Sequence, residues 1–218
     1  MIRLFLSLII PFISLSLSAQ TTYEGNGNSG FGGVVGQSTL TFDDNGTTIT
    51  GTFTKGAGSF TNTMVIYIST GATGRSVIDA NVNDQADDLR RAISSAGSSA
   101  SVITFPSGFE ATHAIAIETD FDYGGLWSIP ATGAIGNGGL SYVDVNGNGS
   151  SIGNPSSSTQ ASFTFSFDWS DIGLSANDNF QFIITYLNYS NGFTSNEGYG
   201  GDFLDASTIY DGTTNVGN

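Results

Sequence analysis

The chain has 218 residues, 39% of them hydrophobic, enough for the core of one domain or at most one domain with a tail. Lys and Arg number 5 against 19 Asp and Glu, and the formal charge of −14 repels phosphate backbones and anionic headgroups, which disfavours nucleic-acid and membrane-surface roles. Cysteine is absent, which excludes disulfides, thiolate metal sites and a Cys nucleophile.

Residues 1–20 read MIRLFLSLIIPFISLSLSAQ. Arg3, the apolar run over 4–17 and the small residues Ser16, Ser18 and Ala19 make a secretory signal peptide, with cleavage expected near Ala19. Pro11 interrupts the run, which is too short for a good membrane span. The expected organisation is a signal peptide over 1–19 and one β-sandwich domain over 20–218, with a loop-rich tail over about 191–218. The mature chain is expected to have no membrane span and to be secreted or held at the cell surface, with the periplasm also open. Export without disulfides suits a bacterial source.

Residues 20–37 are rich in Gly and Asn and contain a formal G-x-G-x-x-G at Gly25, Gly27 and Gly30. A dinucleotide fingerprint needs a strand before it and a helix after it. Neither pattern is present, so a flexible leading loop is predicted. Residues 38–54 read as a hairpin. Leu40, Phe42, Ile49 and Phe53 form its apolar face, and Asn45-Gly46 forms the reversal. The run 63–69, TMVIYIS, is apolar on both faces and predicts a central strand.

The one helical pattern covers 84–97. Asp84 is its expected cap, and Ala86, Leu89, Ile93 and Ala96 form its stripe. Asp87 and Arg91 are four apart and able to pair, and Gly97 ends it. The helix is expected across an edge or end of the sandwich, with Arg90 and Arg91 on a solvated face. Strand patterns follow at 101–105, 112–118, 123–129 and 140–145, then a Ser, Gly and Asn loop over 146–160. His113 shares an alternation face with Ile115 and Ile117, the mark of a packed neutral imidazole.

The clearest stretch is 161–187, ASFTFSFDWSDIGLSANDNFQFIITYL. Ala161, Phe163, Phe165, Phe167 and Trp169 alternate with polar residues, the period of a half-buried strand. A turn follows over 170–179, then a strand over 180–187 that is apolar on both faces and so expected to be central. Residues 188–218 read as loops with one last strand near 207–210. Many short strands, turn signals and one helix predict an all-β fold: an antiparallel, jelly-roll-like β-sandwich with one short α-helix.

The residues Phe163, Phe165, Phe167, Trp169, Ser170, Gly173, Leu174, Phe180, Phe182 and Ile184 carry a resemblance. The run FTFSFDWSDIGLSANDNFQFIITYLN resembles the strand, Trp-Ser-x-x-Gly-Leu turn and strand of family 9 carbohydrate-binding modules and related DOMON-type domains. The wider layout is similar to exported bacterial proteins, some of which carry a type IX secretion sorting domain. The resemblance implies a sandwich fold and a polysaccharide or glycan partner. Trp169 itself reads as core.

Several residues carry candidate chemistry. Glu118, Asp120 and Asp122 alternate in ETDFD and are similar to the catalytic strand of family 16 glycoside hydrolases. That likeness implies Glu118 as nucleophile. The competing readings are a solvated strand end or a cation site. Asp144, Asn146, Asn148 and Gly149 match the front of a calcium loop, but Pro155 stands where its closing acid belongs. A Ca²⁺ ion held by Asp144, Asn146, Asn148 and Asp120 is therefore an expectation that competes with ordinary turns. Gly149, Ser151 and Gly153 form G-x-S-x-G by chance, since the only His, His113, precedes them.

Sugar binding needs flat rings beside amides and carboxylates. Tyr123, Trp127, Tyr189 and Tyr199, with Asp122, Asn188, Asn191 and Glu197, are the loop candidates. Gly124-Gly125 before Trp127 suits a loop-borne ring, and core filling by Trp127 is the equal alternative. The leading expectation is an exported, non-catalytic carbohydrate-binding sandwich. A structural or adhesive surface protein that binds protein or matrix is the alternative, and a jelly-roll glycosidase is third.

Overall fold

The computed structural model describes residues 21–119, 123–145, 151–176 and 178–200, and the backbone of Ser207–Ile209 and Thr214–Val216. The expected signal peptide lies outside the described residues.

Two antiparallel sheets face each other. The smaller runs in the order β1 (Thr22–Glu24), β2 (Thr39–Asp44), β3 (Thr48–Thr54) and β10 (Ser162–Asp168). The larger runs β12 (Phe193–Tyr199), β11 (Phe180–Asn188), β4 (Thr63–Ser69), β7 (His113–Glu118), β8 (Tyr123–Ser128) and β9 (Ser141–Val143). Beyond the reach of β12, β14 (Thr214–Val216) pairs with the first residues of β11. This is the antiparallel β-sandwich that the alternations predict.

The alternations fix which residues meet. In β10, Phe163, Phe165 and Phe167 are buried between the sheets while Ser162 and Thr164 face solvent. Phe165 lies opposite Gly51 of β3. A Cβ at Gly51 would come within 2.3 Å of the Phe165 ring, so the close approach requires glycine. The hairpin reversal forms as expected: the Asn45 side chain accepts from the amides of Thr47 and Thr48, and Gly46 takes φ 87°.

The larger sheet is buried on both faces, which explains its doubly apolar strands. Met64, Ile66, Ile115, Phe182 and Ile184 point into the core between the sheets. Val65, Tyr67, Ala114, Ala116 and Ile183 point into a second core on the outer face. That outer core is covered by α1 (Asp88–Ile93) and by a small sheet of β5 (Val77–Ile78), β6 (Val102–Thr104) and β13 (Ser207–Ile209). Both β4 and β11 are central, as their sequence predicts.

In four places the structure adds to the sequence reading or departs from it. First, the strands within 161–187 are not hydrogen-bonded neighbours, because β10 belongs to the small sheet and β11 to the large one. A 3-10 turn at Trp169–Ile172, ended by Gly173 at φ 76°, carries the chain between them. The buried Trp169 ring meets Phe180 at 5.9 Å. Second, α1 starts later than predicted. Asp87, not Asp84, caps it by accepting from the Arg90 amide at 2.8 Å. The fully buried Asp84 carboxylate instead accepts amides of Ala86, Gly138 and Leu140, tying the 136–140 loop to the start of the helix. The helix also lies over central strands β4 and β7 rather than at an edge. Third, β12 is a full strand in the stretch read as tail loops.

Fourth, residues 25–37 are pinned rather than flexible. Glu197 of β12 is fully buried, and its carboxylate accepts the amides of Phe31, Gly33, Val35 and Gly36. The side chains of Asn26 and Asn28 donate to the Asn196 carbonyl alongside. The glycines here serve close backbone approach and leave no fingerprint geometry: a Cβ on Gly36 would fall 2.2 Å from the Asn28 carbonyl oxygen.

Candidate functional site

On the outer face, β8 and β9 run beside the first turn of α1. Trp127 of β8 lies opposite Tyr142 of β9, and both rings stand on the α1 side. The Gly125 position is what makes room for the indole. A Cβ there would lie 2.5 Å from the Trp127 ring, so the indole folds flat over the glycine two residues before it. Trp127 is therefore a strand residue, only 2% exposed, rather than a loop-borne ring.

The result is a cleft of about 550 Å³ lined by Asp87, Asp88, Leu89, Arg90, Tyr123, Trp127 and Tyr142. Tyr123 and Tyr142 are half-buried, with ring centroids 6.4 Å apart and planes tilted by 29°. Tyr142 meets the floor indole edge-on at 5.6 Å and 71°. The Arg90 guanidinium carbon stands 5.8 Å from the Trp127 centroid, a cation–π distance. Burial, and then the hydrogen bond to Tyr142, push the Tyr123 hydroxyl above the ordinary tyrosine range, so it stays a protonated donor. The Trp127 Nε1–H is buried and meets no acceptor among the described residues.

The charged side of the cleft comes from α1. Arg90 donates through Nη1 to Asp87, and its Nε lies 3.6 Å from the buried Asp84. Arg91 donates to Asp88 at 2.7 Å. The expected Asp87–Arg91 pair is thus replaced by two pairs at a spacing of three. Flat rings, hydroxyls, carboxylates and a guanidinium meet in one concavity, the chemistry that can stack a CH-rich face and hydrogen-bond polar substituents.

The structure brings only part of the sequence-derived set together. Tyr123 and Trp127 share the cleft. Tyr142 joins them although the sequence reading gave it no role. Its signal was there: it alternates with Val143 beside a neighbouring aromatic strand. Tyr189 sits in the turn after β11, half-buried against the outer core. Tyr199 is a core residue of β12, 1% exposed, and its hydroxyl meets the Ser38 hydroxyl at 2.7 Å. Asn188 and Asn191 cap their own turn, accepting the amides of Ser190 and Phe193. Glu197 is spent on the glycine-rich segment. A second cleft of about 700 Å³ at the far end of α1 is lined by Arg91 and by polar groups such as Asn83, Gln85, Ser98 and Ser190, with no aromatic ring among its described residues.

The remaining candidates stand apart. Asp120, Asp122, Asn146 and Asn148 lie outside the described residues. Asp144 is exposed after β9. Burial, and then the charges of Asp168 and Asp144, raise the Asp171 carboxyl above its ordinary value. Among the described residues no three His, Asp or Glu side chains gather as metal ligands. Glu118 is 1% exposed at the end of β7, and its Oε2 accepts from the Thr63 hydroxyl at 3.0 Å. His113 is partly buried, and burial lowers its pKa to about 4, so the imidazole is neutral at neutral pH.

Fold and cleft together define an all-β sandwich with an aromatic, charge-lined cleft on its outer face. Comparison with protein-family models, curated proteins and solved structures finds no match for this chain. Among the described residues no helix is long and apolar enough to cross a membrane.

Proposed function

We propose that this protein is an exported, non-catalytic β-sandwich that binds carbohydrate in the cleft between α1 and the β8–β9 strands. The observation that carries the reading is the pairing of the Tyr123 and Tyr142 rings with the charged groups of α1 in a single 550 Å³ concavity. Sugar CH faces stack on the tyrosine rings, and sugar hydroxyls bond to the aspartates, Arg90 and the tyrosine hydroxyls. Trp127 is a floor that fixes Tyr142 rather than an exposed platform. The buried position of Glu118 supports binding over hydrolysis, since a nucleophile must reach its substrate. Export rests on the 1–19 sequence.

A glycan array on residues 20–218 tests the reading, run in calcium and again with chelator. Hits that ignore chelator and vanish in Tyr123→Ala/Tyr142→Ala are the expected result. Calcium-dependent hits would move the site to the acidic loops around Asp144. A blank on folded protein would remove the carbohydrate reading. The alternative, a structural or adhesive surface protein, draws on Val102 and Phe193, exposed by 40% and 44% on either side of the Ser101–Thr194 hydrogen bond.

A further inference from the structure

Arg90 and Arg91 are two of only five cationic residues in the chain. Arg90 lines the cleft, while Arg91, the next residue of α1, lines the second cleft. A free Arg90 guanidinium would recruit carboxylate or sulfate groups bidentately. Neither is free. Asp87 takes Arg90 through Nη1, and Asp84 lies 3.6 Å from its Nε. Asp88 takes Arg91 at 2.7 Å. The Arg90 guanidinium is further committed to the Trp127 ring face.

The Asp88–Arg91 pair presents a dipole, and Arg90 stands against two carboxylates, so neither guanidinium presents a net positive charge. A guanidinium keeps N–H donors beyond the one or two used here, and a carboxylate keeps acceptor lone pairs. Adjacent donors and acceptors of this kind match the neighbouring hydroxyls of a sugar. An anionic ligand would have to displace an aspartate to win its arginine. It would also approach a chain of formal charge −14. An ammonium-bearing ligand would have to displace an arginine from an aspartate in the same way.

We propose that Asp87, by neutralising Arg90 together with the buried Asp84, selects uncharged polyhydroxylated chains at this cleft over uronate- or sulfate-bearing ones. The inference rests on the carbohydrate reading and adds the ligand class and the Asp87–Arg90 pair that sets it.

The test measures binding of glucomannan, polygalacturonate and a sulfated galactan to the full chain in about 20 mM and about 300 mM salt, a range over which exposed charges become screened. Glucomannan is expected to bind at least about tenfold tighter than either anionic polymer, with affinity nearly independent of salt. Asp87→Asn keeps a capping side chain and frees the Arg90 Nη groups, while Nε stays beside Asp84. This variant should gain polygalacturonate binding about tenfold or more at low salt, and lose the gain at high salt. Circular dichroism confirms that it is folded. Two results overturn the selectivity while leaving carbohydrate binding intact: wild-type protein that binds polygalacturonate as tightly as glucomannan, or a folded variant with no gain. Wild-type protein that binds none of the three overturns this inference, and a blank across the full glycan array overturns the reading beneath it.

Discussion

Glu197 and Val35 are 162 residues apart in sequence, yet the buried Glu197 carboxylate accepts the Val35 amide at 2.8 Å. Three further amides of the same segment converge on the two carboxylate oxygens. Glu197→Gln replaces one acceptor oxygen by a donor and faces those amides with N–H groups. The expected loss is about 3 kcal/mol in chemical denaturation, because charge-assisted bonds are lost and buried amides are left unmet. Amide exchange at Val35 and Gly36 should accelerate more than exchange in β4.

His113 predicts an acid-sensitive stability. Burial holds its folded-state pKa at about 4, below the ordinary value near 6.5. The unfolded chain therefore takes up the proton first. Stability falls as pH drops from about 6.5 towards about 4 and levels off beneath that, a contribution of at most about 3 kcal/mol. Urea denaturation of wild type and His113→Gln across this range checks it, since the carboxylates are common to both. The difference between the two curves should change over this window and be flat outside it.

Gly51 and Gly125 do the same physical work in different places, each lying under an aromatic ring. Gly51→Ala should cost about 1–3 kcal/mol by pushing Phe165 into the core between the sheets. It should leave ligand binding alone, since the cleft lies on the other face of the large sheet. Gly125→Ala forces the Trp127 indole up into the cleft, and is expected to weaken glycan binding as well as stability. Thermal melts and a binding isotherm on both variants separate the two effects.

Much of the fold was legible because period-two alternation reports burial directly. The residues of β10, β4 and β11 lie as their patterns predict, and double apolarity marked the central strands. What alternation cannot report is which sheet a strand joins, so the split of β10 and β11 between sheets was invisible. The strand β12 was hidden because its sequence, FTSNEGY, carries Asn, Glu and Gly, which read as turn chemistry. Those groups are polar because the strand anchors the glycine-rich segment through the Glu197 carboxylate and the Asn196 Oδ1, which accepts the Gly30 amide.

The candidate site was legible only in part. Tyr123 and Trp127 stood out as aromatics beside a glycine pair. Tyr142 and α1 came into the cleft through strand pairing and helix docking, which no local pattern encodes. The helix start was misplaced because Asp84 and Asp87 are equally good caps in sequence. Tertiary bonds to Gly138 and Leu140 take Asp84 away from that role.

The chain has two tryptophans, one flooring the cleft and one packed between the sheets. Trp169→Phe therefore leaves Trp127 as the only indole reporter. The most direct measurement is its emission during titration with neutral gluco-, manno- and xylo-hexaoses, alongside calorimetry. Carbohydrate binding at this cleft predicts a saturable change in Trp127 emission with at least one hexaose, lost in the added Tyr123→Ala/Tyr142→Ala background. Calorimetric binding with unchanged Trp127 emission, or binding that survives removal of both tyrosines, would contradict it.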